Sequence, residues 1–167
     1  MNQILESLEY DAERGSLSLQ SARYVLLPPA LLMELQKNLD GAYGREAAQF
    51  FVEAGMGEGS ALAGRYRDVF GYPPDQVLGA VAFLLSESGW GTFSVEILSV
   101  EGREMVFKVL ESPFADVYGP SIQPVCHLVL GLLRGVGMAL FDAETTGMEV
   151  QCAAKGDTCC RFVVSAK

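Results

Sequence analysis

Four residues near the end of the chain have the types to do chemistry together: Cys126, Glu149, Cys152 and Cys160. Thiolates are soft ligands that zinc prefers, and one carboxylate oxygen completes a four-coordinate shell. A shell filled in this way leaves no position for water, so the chemistry would be that of a clip, pinning the helix around Cys126 to the closing hairpin. The same residues could equally be ordinary buried cysteines, small and apolar, with Glu149 on a solvated strand face. Spacing leaves both readings open, because it is not a paired Cys-x-x-Cys pattern. Along a strand Cys160, Phe162 and Val164 share one face and Cys159, Arg161 and Val163 the other, so only one of the adjacent cysteines can serve. Glu149 and Cys152 would face oppositely on a regular strand, and a bulge or the strand's end must bring them together.

Other chemistry finds less support. His127 adjoins Cys126 but points about 100° away on a helix, and as a general base or haem ligand it lacks a recognisable partner. Gly55, Gly57 and Gly59 resemble a phosphate loop, yet no Gly-Lys-Ser/Thr follows and no strand precedes them. Glycines thinning a helix so that another element can approach closely explain them better. No nucleophile and base pair of the kind a triad needs is recognisable, and a non-enzymatic role is expected.

The elements that must position the four residues are read as follows. Residues 1–14 form a loose lead-in or short helix, and Leu17 to Leu27 a hairpin turning near Gln20 and Ser21. Pro28 and Pro29 open a helix carrying Leu31, Leu32, Leu35 and Leu39, with Gly41 ending it. A second helix covers about Gly44 to Phe70, and a third, buried on most sides, runs from Pro73 to Ser86. Thr92 to Val100, alternating through Phe93, Val95 and Ile97, and Met105 to Leu110 form a hairpin around Gly102. A looped region, Ser112 to Gln123, leads into an apolar helix containing Cys126, whose Gly131, Gly135 and Ala139 line up on one side. Strands at about Thr145 to Cys152 and Cys159 to Val164, joined at Lys155, Gly156 and Asp157, close the chain. Helices against an antiparallel sheet make the fold class α+β.

At 167 residues the chain is expected to be one domain, 1–167, able to bury roughly 70% of its unfolded surface. Half of its residues are apolar and the mean hydropathy is +0.23, a surplus that must go into an internal cavity, a partner subunit, or both. The longest apolar run, Val77 to Leu85, is far short of the about 20 residues a membrane span needs. The N-terminus has neither a secretory nor a transit pattern, so the cytoplasm is expected. A net charge of −9 with scattered basic residues argues against nucleic acid. In a reducing compartment four cysteines are thiols or metal ligands rather than disulfides.

The segment Pro124-Val125-Cys126, then Leu130-Gly131, Glu149-x-x-Cys152, Gly156-Asp157 and Cys160-x-Phe162, resembles the ending of the 4-vinyl reductase domain family. That family includes the sensing domains of phenol- and toluene-responsive bacterial activators. The resemblance implies zinc on Cys126, Glu149, Cys152 and Cys160, with Cys159 a spare. It also implies a fold like that of vesicle-tethering transport-particle subunits and haem nitric oxide sensors, dimers with an apolar pocket. A weaker likeness reaches back through Gly89-Trp90 to Phe51 and Gly55, with Trp90 expected to pack in the core or a turn. Where phenol sensors hold the ligand hydroxyl with His and Trp, this sequence has apolar residues near Leu85 and Val109, which implies a more apolar ligand than phenol. Facing strand and helix residues Phe107, Val109, Leu130, Leu133 and Val136 are the candidate pocket. The expected function is a stand-alone sensor-like domain, without attached ATPase or DNA-binding domain, that binds an apolar molecule, whether aromatic, lipid or tetrapyrrole. A tetrapyrrole-binding or vinyl-reducing accessory protein of bacteriochlorophyll synthesis and an interaction scaffold are the alternatives.

Overall fold

The computed structural model describes residues 2–19 and 22–167. The sheet that carries the candidate ligands contains β4 (Thr92–Ser99), β5 (Glu104–Leu110), β6 (Thr145–Gln151) and β7 (Cys160–Ala166). Its order is β4-β5-β7-β6 with every neighbouring pair antiparallel, so β7 lies in the middle. Alternation along β7 turns Cys160, Phe162 and Val164 inward, and all three are buried. The inner face is completed by Met105, Phe107 and Val109 of β5, each 2% exposed or less.

Helix α6 (His127–Phe141) covers β6 and β7, and α4 (Pro74–Glu87) covers β4. A further long helix, α3 (Ala47–Asp68), lies against α6, while α2 (Pro29–Tyr43) packs on α3 and on a short helix, α5 (Pro113–Tyr118). The contact of α3 with α6 is made by glycines on both sides. A Cβ at Gly55 would sit 2.6 Å from the Leu132 backbone nitrogen, and one at Gly135 would sit 2.7 Å from that of Ser60. Gly59 and Gly131 meet the Leu132 and Val52 carbonyls in the same way. These helices therefore touch backbone to backbone, the close approach that both glycine series predict.

At the N-terminus, helix α1 (Gln3–Glu6) precedes a three-stranded antiparallel sheet of β1 (Glu9–Asp11), β2 (Ser16–Leu19) and β3 (Ala22–Tyr24). The expected turn at Gln20 and Ser21 lies outside the described residues.

Several expectations need correction. Helix α2 runs through Gly41 and ends at Gly44, whose φ of 60° a glycine tolerates best. Its Leu31 and Leu35 are exposed, and Met33 and Gln36 are the buried residues. The third helix buries one face only, leaving Gly79 and Phe83 open. In β4 a register shift between Val95 and Ile97 breaks the expected alternation, and both residues are exposed. The region Ser112 to Gln123 is not all loop: the Ser112 hydroxyl caps α5, with Pro113 in its first turn. Trp90 packs edge-on against Phe114 with ring centroids 5.0 Å apart, so its expected packing role holds.

Candidate metal centre

Cys126 is the cap of α6 rather than a residue inside it, with φ −87° and ψ 48°. Its carbonyl accepts the first helical bond from the Leu130 N–H, and its own N–H donates to Glu149 Oε2 at 2.9 Å. A thiol at a helix N-terminus sits at the positive end of the helix dipole, which favours its thiolate. Glu149 reaches the same point from β6 because a register shift separates it from Gln151, and Cys152 lies just beyond the strand's end. Both devices that the three-residue spacing demanded are present. Cys152 is held by the Asp157 carboxylate, which accepts its N–H at 2.8 Å across the tight turn ending at Gly156. Cys160 enters from the first position of β7.

The ligand atoms of Cys126, Glu149, Cys152 and Cys160 all lie within 4.8 Å of one another, and all four residues are buried. The Cys126 and Cys160 sulfurs are 3.7 Å apart. Two thiolates bound at about 2.3 Å in a tetrahedral shell would be separated by about 3.8 Å. Glu149 Oε1 is buried with no hydrogen-bond partner, an arrangement that costs energy unless a cation meets it. The Ala153 N–H points at the Cys160 sulfur, 3.4 Å away, and the Ser112 hydroxyl lies 3.7 Å from that of Cys126. Three sulfurs, an orphaned carboxylate oxygen and surrounding donors fit a metal ion. The spare, Cys159, faces away, its sulfur 3.5 Å from Gln151 Oε1.

Protonation follows from burial and mutual contact. Burial, followed by the Cys152 sulfur beside it, pushes the Glu149 carboxyl up to about 8. Hydrogen bonding to Cys152 and Cys160 raises the Cys126 thiol far above its ordinary value, and the bonds that Cys152 accepts from Cys126 and Cys160 pull it down. Cys160 is pushed up to about 12, the bond from Cys126 lowering it while its bond to Cys152 and burial raise it further. The metal-free cluster thus shares protons that a divalent cation would displace.

Of the candidate pocket residues, Phe107, Val109, Leu133 and Val136 meet in the packed core between β5 and α6. Leu130 faces elsewhere, into an open cleft of about 650 Å³. This cleft lies between the C-terminal end of α2, the start of α3, the loop preceding α6, and β6, and Glu149 is part of its wall. His127 also lines it, half-buried, its pKa lowered by burial, and it belongs to no metal-ligand group among the described residues. Tyr118 donates to Asp40 at 3.1 Å on the same cleft.

Sequence reasoning missed Gln36, which is wholly buried and donates from Nε2 to the Val125 carbonyl at 3.0 Å, steadying the residue before Cys126. A lone glutamine among leucines on an otherwise apolar helix turn was the available signal. It missed Ser112 too, although Ser-Pro before an apolar residue is a helix-start pattern.

Comparison with known proteins agrees with this geometry. Residues 105–166 match the model of the 4-vinyl reductase domain. The phenol regulator MopR of Acinetobacter guillouiae is 26% identical over 174 residues, covering 96% of this chain, which spans only 30% of that protein's length. The fold is shared with the phenol-responsive sensory domain of the transcription activator PoxR at a TM-score of 0.84 and 23% identity, covering 98% of this chain and 86% of that one. It is shared more distantly with a trafficking protein particle complex subunit 3 from Naegleria fowleri, bound covalently to palmitic acid, at a TM-score of 0.58 and 14% identity, covering 83% and 95%. Residues 105–166, which contain all four candidate ligands, are thus a 4-vinyl reductase domain, set in an α+β fold common to sensor domains and transport-particle subunits.

Proposed function

We propose that this chain is a small-molecule-sensing module whose fold is closed by a zinc ion on Cys126, Glu149, Cys152 and Cys160. The observation that carries the zinc is the orphaned Glu149 oxygen buried among three thiols, since a buried unpartnered carboxylate is tolerated best beside a cation. Three thiolates select a soft or borderline ion, and zinc is the one that takes this donor set in four-coordinate structural sites. Sensing is supported by the likeness to the phenol regulator and to the phenol-responsive domain.

The ligand is an apolar small molecule, held between β5 and α6 by Phe107, Val109, Leu133 and Val136 with Leu130 at the edge. No charged side chain is among these residues, and Leu85, itself buried, stands near them in the same core. Such a core admits a ligand by opening between strand and helix. Among the described residues no helix is long and apolar enough to cross a membrane. We place the protein in the cytoplasm, where its four cysteines remain unpaired, and as a homodimer through the exposed apolar residues between Tyr24 and Leu35.

The test is native mass spectrometry of protein purified without added metal, beside melting curves with a panel of phenols, alkylbenzenes and short fatty acids. One zinc per chain and a higher Tm with one chemical class are expected. A folded, metal-free chain would remove the zinc, and a panel without effect would remove the pocket.

A further inference from the structure

The four ligands of the cluster are not equally enclosed. Cys126, Cys152 and Cys160 are 2%, 0% and 0% exposed and take no part in the cleft, whereas Glu149, 8% exposed, forms part of its wall. Glu149 is also the ligand with most freedom to move. It sits on β6, an edge strand, beside the register shift that interrupts pairing with β7. A carboxylate is moreover the hard member of a set of soft thiolates, and the one most readily exchanged for sulfur. The cleft has an apolar floor of Val125, Leu130 and Met148, and on its rim Arg45 makes no ion pair among the described residues.

We propose that the cleft admits a small thiolate with an apolar, preferably aromatic, body, which takes the place of Glu149 on the metal. The inference rests on the zinc reading above. One metal–sulfur bond forms and one metal–oxygen bond breaks. No electrons change hands, and one anion replaces another, so the charge of the shell is conserved. The released Glu149 carboxylate turns into the water of the cleft, and the thiolate's body covers Leu130 and Val125. Arg45 supplies the positive charge that draws a thiolate, rather than its thiol, to the rim. Occupation of this cleft would alter the tie between β6 and the cap of α6, because the Glu149 carboxylate also accepts the Cys126 N–H.

The experiment loads the purified chain with cobalt(II), whose visible absorption reports its ligands, and titrates it with thiophenol. A saturable change is expected, with sulfur-to-cobalt charge transfer rising by about a third as three thiolates become four. Phenol, of the same shape without the sulfur, should leave the bands unchanged. Ala48→Phe, which fills the cleft from α3, should keep the cobalt spectrum and lose the response. Unchanged bands in the loaded protein, an equal response to phenol, an undiminished response in Ala48→Phe, or bleaching as thiophenol extracts the metal would each overturn the inference while leaving the metal site standing. Failure of the chain to take up cobalt at all would overturn both.

Discussion

The Glu149 carboxylate is where burial, hydrogen bonding and metal chemistry meet in one side chain. Its folded-state value of about 8 exceeds the about 4.3 of an unfolded chain. In metal-free protein its effect on stability is therefore fully favourable below the unfolded value and is lost as pH rises through about 8. Cys152 acts in the opposite sense: held below the ordinary thiol value, it favours the fold above that value and loses its effect on acidification. Comparison with Glu149→Gln isolates the carboxylate. Metal-free wild type should lose Tm relative to this variant between about pH 4.5 and pH 8, measured by calorimetry after chelation. The zinc form should show the reverse, because the ion holds the carboxylate ionised and bound. Cys152→Ser should abolish zinc binding and lower Tm by on the order of 10 °C, the consequence of leaving buried ligands without their cation. A Cys152→Ser protein that retains zinc and its Tm would show that Cys152 is only packing.

At the scale of elements, backbone contact between α3 and α6 sets how the Cys126 end of α6 meets the sheet. Adding one methyl to Gly59 or Gly135 must separate the helices, at a cost of about 1–3 kcal/mol or more. Gly57, on the same helix, has open space around its Cβ direction, and alanine there should stabilise by about 0.5–1 kcal/mol. Urea denaturation of Gly59→Ala and Gly57→Ala tests the opposite signs, and equal effects would show that the contact is looser than described. These glycines were legible in the sequence because small residues at helical spacing have few other uses. The start of α6 was not, since Val125 and Cys126 continue the apolar pattern, and only a distant partner, Glu149, takes the N–H that ends the helix there. Helix α5 was hidden for another reason: six residues between prolines carry too little periodicity to be seen, although its Ser112 cap was readable. Cys126, Glu149, Cys152 and Cys160 do converge, but spacing alone could not distinguish ligands from packed cysteines. Their convergence depends on the β6 irregularity, which no residue type announces.

Across the whole molecule, the surplus of apolar residues is only partly absorbed by the core. A chain of 18.0 kDa is expected to expose about 8,000 Å² when folded alone, whereas this one exposes 9507 Å². Much of the exposed apolar side-chain surface is concentrated near the N-terminus, where Val25 is 71% and Leu26 81% exposed, followed by Leu27, Leu31 and Leu35 on the same stretch. A contiguous patch of this kind is uncommon on monomers. The charge of −9 keeps separate chains apart at long range, so association must come from apolar burial at short range. A second copy meeting the first about a two-fold axis would cover this stretch with itself, the commonest arrangement for identical chains. Leu26→Asp places a charge in that contact without touching the core or the metal ligands. Multi-angle light scattering should then give twice the chain mass for wild type and the single-chain mass for Leu26→Asp, with zinc content unchanged. A wild-type protein that stays monomeric at high concentration would mean that this surface meets a different partner. A dimeric Leu26→Asp would move the interface elsewhere, to a face such as the exposed side of the sheet around Ile97 and Met148.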